Sequence, residues 1–253
     1  MNIAAIIEAR MGSSRLPGKT LMDVVGATLL GRVIERIRLA QSVEEIIVAT
    51  STNEADDPIV SLCLRNDIPC FRGSEEDVLG RVYEAAKLFG ADIIVQLGAD
   101  CPFYDPELID LLVSVVKWGG YAYAANDMTL TFPEGVDAHV ISFHALAASA
   151  LEAKNIQERE DTPRFIWNHP SRFPIFNLTA LPGSVLNRPE IRLTVDYEED
   201  LKLTRDIYGK LYKDNPRFTT FDLIQFLDEH PELVFINAHC EQRSAAYLPE
   251  GGK

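Results

Sequence analysis

The chain has 253 residues, 47% of them hydrophobic, which suits one large domain with a sizeable core. Its 24 Lys and Arg face 38 Asp and Glu, a formal net charge of −14. That balance argues against generic nucleic-acid binding and against an anionic membrane surface, since both need a basic face, and no apolar run approaches the ~20 residues that span a bilayer.

In chain order, Ile3–Ile7 is an unbroken apolar run and predicts a buried strand. Glu8 to Thr20 then predicts a loop at that strand's carboxyl end, the edge where open α/β sheets bind ligands. Arg10, Arg15 and Lys19 concentrate positive charge there. Gly12, Gly18, Ser13 and Ser14 leave backbone N–H groups able to approach an anion, so a phosphate-rich ligand suits the loop. A plain surface turn would also use Gly, Ser and Pro, but it would not gather three cations in an acidic chain. The P-loop pattern fails here, because Gly12 and Gly18 enclose five residues, one too many, and Pro17 removes a donor.

The spacing then predicts a helix from about Thr28 to Gln41, a strand at Glu45–Thr50, and a helix over Ala55–Asn66 with Pro58 in its first turn. A short strand at Ile68–Phe71 precedes a helix with Ser74 as N-cap, running to about Phe89 and stopping at Gly90. Asp92–Leu97 predicts a further strand, and Asp105-Pro106 starts a helix that reaches Trp118. This β-α alternation predicts a doubly wound, mostly parallel α/β sheet. After Gly119-Gly120 the pattern changes. Strands are expected at Tyr121–Ala125, Ala138–Ser142 and Phe173–Thr179, helices at Ala145–Lys154 and Thr162–Asn168, and an inserted segment at about 126–186. Ile191–Val195 restores a strand, helices follow at Tyr197–Tyr212 and Phe221–Glu229, and a polar tail from Glu241 reads as poorly ordered. One domain spanning 1–253 accommodates all of it.

Cys63, Cys70, Cys101 and Cys240 show no C-x-x-C spacing and the five histidines are scattered, which argues against zinc. Met1-Asn2 leads straight into the first strand without a signal peptide, so a cytoplasmic location with reduced thiols is expected.

The loop residues Ala9-Arg10-Met11-Gly12-Ser13-Ser14-Arg15-Leu16-Pro17-Gly18-Lys19 resemble the signature of the sugar-acid cytidylyltransferases, which include CMP-KDO synthetases and acylneuraminate cytidylyltransferases. The resemblance is strongest to the spore coat polysaccharide branch. Further blocks look similar in the same order: Val48–Ser51, Phe71–Leu79, Ala99-Asp100-Cys101-Pro102 and Arg192–Asp196. The resemblance implies a nucleotide-diphospho-sugar transferase type of fold and a Mg²⁺-dependent transfer of CMP from CTP to a sugar acid, with release of pyrophosphate. It also implies a homodimer, with the inserted segment between subunits.

Arg10, Arg15 and Lys19 would offset phosphate charge, and by the resemblance Gly12 and Ser13 would contact phosphates through their backbone. Asp100 and Asp196 match the family's metal-binding aspartates. Each has a plainer reading, Asp100 as a turn residue and Asp196 with Glu199 as a helix cap. Ala-Asp-Cys-Pro replaces the usual Gly-Asp-Glu-Pro, and Tyr197-Glu198 replaces Thr-Pro, departures that leave the sugar open. Base recognition is expected from Ser51, Arg72 and Ser74, with Asp77 and Arg81 along the next helix, although the last two could form a surface i,i+4 pair. Gly135, Asp137 and Arg164, with His169 and Arg172, are candidates for the acceptor site. A glycosyltransferase would want a D-x-D pair that Asp100-Cys101-Pro102 lacks. A non-catalytic nucleotide sensor would bind CTP without releasing pyrophosphate.

Overall fold

A strand whose side chains are apolar on both faces must be covered on both, and the first strand sets that demand. The computed structural model describes residues 1–241; the expected polar tail beyond Glu241 lies outside them. From the amino end, β1 (Ile3–Glu8) leads through the basic loop to a hairpin, β2 (Asp23–Val24) and β3 (Ala27–Thr28), and to α1 (Leu29–Ile37). There follow β4 (Glu45–Ser51), α2 (Asp57–Arg65), β5 (Cys70–Gly73), α3 (Val78–Leu88), β6 (Ile93–Gly98) and α4 (Pro106–Gly119). The second half holds β7 (Tyr123–Ala125), β8 (His139–Ser142), α5 (Phe143–Glu152), α6 (Ile156–Glu160), α7 (Arg164–Asn168) and β9 (Ile175–Asn177). It closes with α8 (Glu198–Ile207), which continues as a π-helical turn at Tyr208–Tyr212, then α9 (Thr220–Glu229) and α10 (Pro231–Val234).

Seven strands form one sheet in the order β5-β4-β1-β6-β8-β7-β9. β1 lies between β4 and β6, parallel to both, and β5 is parallel to β4. β8 runs antiparallel to β6 and β7, while β9 is parallel to β7. Ile3, Ala5 and Ile7 pack beneath α1, α2 and α4, whereas Ala4 and Ile6 face α3, α5 and α7. This period-2 split is what a doubly covered strand requires. The chain winds from β1 outward to β5, then crosses back to β6 on the other side of β1. The crevice at the carboxyl ends of β1 and β6 is therefore the topological switch point. The segment at about 126–186 contributes β8 and β9 to this same sheet.

Three local expectations are corrected. Ile191–Val195 is not a sheet strand. Among the described residues its one β-bridge is a parallel one between Arg192 and Glu134, and its apolar residues join a third cluster with α8 and α9. The α3 N-cap is Asp77, which accepts from the Gly80 N–H at 2.9 Å; Ser74 sits one turn early and accepts from the Asp77 N–H. Asp196 does not cap α8 with Glu199. The N-cap is Tyr197, and the Asp200 carboxylate accepts from the N–H groups of Asp196 and Tyr197 at 2.9 and 3.0 Å. The Asp196 side chain is thereby left for other work.

Gly135 holds the third cluster to the sheet. Its φ is +99°, and a Cβ there would lie 2.7 Å from the Thr194 nitrogen and 2.8 Å from the Leu193 carbonyl carbon. Both obstacles are backbone, so neither can swing aside. Gly135→Ala should lower stability by about 1–3 kcal/mol in chemical denaturation; an unchanged midpoint would show that this contact is slack.

Candidate active site

At the switch point lies a cleft of about 870 Å³, large enough for a nucleotide. The loop after β1 forms one wall and is tied down by its own backbone. Gly18, at φ 75°, donates its N–H to the Met11 carbonyl, and the Thr20 hydroxyl donates to the Arg10 carbonyl at 2.7 Å. The Met11 N–H donates to Asp56 at 2.7 Å, which fastens the loop to the residues after β4. From Lys19 the chain enters a 3-10 turn and the β2–β3 hairpin before α1, so the loop does not run into a helix as a P-loop does.

Lys19 is the meeting point. Its ammonium lies 2.8 Å from Asp100 Oδ2, 2.9 Å from Asp196 Oδ1 and 2.7 Å from the Val195 carbonyl. Burial penalises the ammonium, but Asp100 and Asp196 outweigh that and raise its pKa. For Asp196, burial is outweighed in turn by Lys19, Arg15 and Arg192, so its carboxyl lies below the ordinary range. Arg15 reaches Asp196 Oδ2 at 2.6 Å. Asp100 is placed from three directions. Tyr104 exchanges hydrogen bonds with Gly98, the Ala99 N–H donates to the Glu8 carbonyl, and the Val195 N–H donates to the Asp100 carbonyl. Two carboxylates converging on one cation form the hard-oxygen donor set that Mg²⁺ takes, so the residues present fit that ion.

Ten of the residues singled out from sequence line this cleft: Ala9, Arg10, Gly12, Ser13, Ser14, Arg15, Lys19, Arg81, Asp100 and Asp196. Arg10 makes no ion pair among the described residues. The Ser13 N–H is turned inward to the Met11 carbonyl, so it is not offered to a phosphate as expected. The other six lie outside the lining. Ser51 is buried and bonds to Asp56. Arg72 is consumed by the carbonyls of Ser51 and Asn53 and by Asp57. Ser74 caps a turn. Gly135 is a backbone contact, and Arg164 pairs with Asp161. Asp137 accepts from the Gly135 N–H, and burial together with Asp127 pushes its carboxyl up to about 7. Arg81 does not pair with Asp77, which pairs instead with Arg159. Arg172 pairs with Glu152.

Sequence reasoning gave no individual site role to Glu8, Glu75, Glu76 and Glu160, which also line the cleft. It also passed over the role of Arg192. That side chain, 6% exposed, contacts Glu134, Asp196 and Asp200 at 2.9 to 3.1 Å. Its signal was a lone cation amid Ile191, Leu193 and Val195. The scattered spacing of His and Cys likewise concealed Glu199, His239 and Cys240, whose ligand-type atoms lie within 4.8 Å of one another, though none lines the cleft.

Comparison with known proteins agrees with this geometry. A family model described as cytidylyltransferase matches residues 4–218. The chain belongs to the cytidylyltransferase family. This cytidylyltransferase is 32% identical over 238 residues to the spore coat polysaccharide biosynthesis protein SpsF of Bacillus subtilis, covering 91% of this chain and 96% of that one. A cytidylyltransferase from Leptospira borgpetersenii superposes with a TM-score of 0.85 at 29% identity, over 92% of this chain and 97% of that one. A CMP:2-keto-3-deoxy-manno-octonic acid synthetase complexed with CTP shares the fold, with a TM-score of 0.63 at 17% identity over 83% of this chain and all of that one.

Arg192→Ala would leave Glu134 and Asp200 without their cation, while Asp196 keeps Lys19 and Arg15. It should cost ~3–5 kcal/mol of stability, read by denaturant unfolding. A loss below about 1 kcal/mol would mean that water already screens the cluster.

Proposed function

We propose that this enzyme transfers CMP from CTP to an acidic sugar of nonulosonic or octulosonic type, or a related acceptor, and releases pyrophosphate. The observation that carries the proposal is the Lys19 ammonium shared by Asp100 and Asp196 beside a basic, glycine-containing loop. A protein of the same fold captured with CTP supports the nucleotide, and a relative named for spore coat polysaccharide biosynthesis supports a sugar acceptor.

Arg10, Arg15 and Lys19 offset the triphosphate charge, and Gly12 lets its backbone approach the phosphates. Asp100 and Asp196 would hold Mg²⁺, which supplies charge neutralisation for the phosphates. Four cations line the cleft, Arg10, Arg15, Lys19 and Arg81, against six carboxylates, Glu8, Glu75, Glu76, Asp100, Glu160 and Asp196. A bare triphosphate is therefore repelled, and one divalent cation would offset the excess of two negative charges. An acceptor hydroxyl oxygen attacks the α-phosphorus and gives up its proton to water, the bond between that phosphorus and the oxygen bridging to the β-phosphate breaks, and pyrophosphate leaves with the electron pair. Catalysis here is positioning and electrostatics.

A pyrophosphate-release screen of CTP against nonulosonic, octulosonic and other acidic sugars tests the reaction. We expect turnover with at least one acceptor, dependent on Mg²⁺ and lowered at least about 100-fold in Asp100→Asn. The absence of both turnover and Mg²⁺-dependent CTP binding would overturn the reading.

A further inference from the structure

Glu8 is a half-buried carboxylate at the end of the central strand, and the phosphate machinery does not use it. Its two oxygens are not equivalent. Oε1 accepts from the Gln96 side-chain amide at 2.8 Å and from the Thr162 hydroxyl at 3.2 Å. Among the described residues nothing donates to Oε2, and no cation approaches Glu8 within ion-pair distance. Glu8 lines the cleft, and Oε2 is its oxygen without a donor among the described residues.

The surroundings narrow the occupant. Glu75, Glu76 and Glu160 line the same cleft, so a second acid, such as the carboxylate of the sugar, is repelled from this wall. Lys19, Asp100 and Asp196 gather where the phosphates belong, and the loop joining them to Glu8 starts at Ala9. A neutral group that carries a hydrogen-bond donor fits at Glu8. Arg81 stands nearby, 5% exposed, with an Nε that is buried and has no acceptor.

We propose that Glu8 reads the base: Oε2 accepts a hydrogen bond from the exocyclic amine of cytosine and so selects CTP over UTP. This deepens the nucleotide assignment above and rests on it. Uracil places a carbonyl oxygen where cytosine has its amine, which sets acceptor against acceptor in a partly desolvated wall. Burial pushes the Glu8 carboxyl above its ordinary range, despite the opposing effects of Arg81, Gln96 and Thr162. An under-solvated acceptor of this kind gains from a new donor.

The pinned oxygen makes the test sharp. In Glu8→Gln, Gln96 and Thr162 keep the amide oxygen at the Oε1 position, so the amide nitrogen, a donor, faces the cleft. In Glu8→Ala the reading group is gone. Calorimetric titration of CTP and UTP in Mg²⁺, with thermal unfolding to confirm folding, gives the preference of each protein. We expect the CTP-to-UTP affinity ratio to fall at least about tenfold in both variants. In Glu8→Gln, UTP should also bind more tightly than it does to the parent. A ratio within about twofold of the parent in both folded variants overturns the proposal, as does a parent that binds the two nucleotides equally. A parent that binds no CTP overturns the nucleotide assignment itself.

Discussion

One ammonium group joins the three parts of this molecule. Lys19 belongs to the loop after β1, Asp100 follows β6, and Val195 and Asp196 belong to the segment that carries the third apolar cluster. The Arg15–Asp196 pair and the packing of Leu16 and Val24 in the third cluster also hold the loop to that layer, and Lys19 adds the end of β6. Buried ion pairs contribute little net stability once desolvation is counted. The arrangement is better understood as fixing geometry: it holds two carboxylates against one cation at the sheet's switch point. Arg15 and Arg192 hold the second oxygen of Asp196, so its orientation is determined from both sides.

Charge follows from the same arrangement. An acidic chain places its loop cations in a cleft that still carries more carboxylates than cations. By the proposed function, a triphosphate would enter such a site together with a divalent ion.

Much of the fold was legible because strands buried on both faces leave a plain record. Ile3–Ile7 and the apolar runs at β4 and β6 could be nothing else, and Pro106 and Gly120 bounded α4 as expected. The failure at Ile191–Val195 is instructive. Its alternating apolar residues satisfy a strand pattern, but they pack with α8 and α9, and the segment's one bridge joins Arg192 to Glu134. Periodicity reports which residues are buried and not what buries them. The cleft was legible where charge was anomalous, at Arg10, Arg15 and Lys19. It was not legible at Ser51 and Arg72. A polar residue at a strand's carboxyl end looks the same whether it meets a ligand or, like these two, ties a loop to its neighbour. Glu8 was hidden for the converse reason, as an acid within a motif noticed for its bases.

The central claim is that Asp100 and Asp196 share one divalent cation when the nucleotide is present. Mn²⁺ binding, followed by electron paramagnetic resonance with and without CTP, addresses it directly. The account predicts one CTP-dependent Mn²⁺ per chain. Its affinity should fall at least about tenfold in Asp100→Asn and in Asp196→Asn, and in the double variant by less than the two effects combined. Undiminished Mn²⁺ affinity in both single variants would contradict the shared site and leave Lys19 as a structural clamp alone.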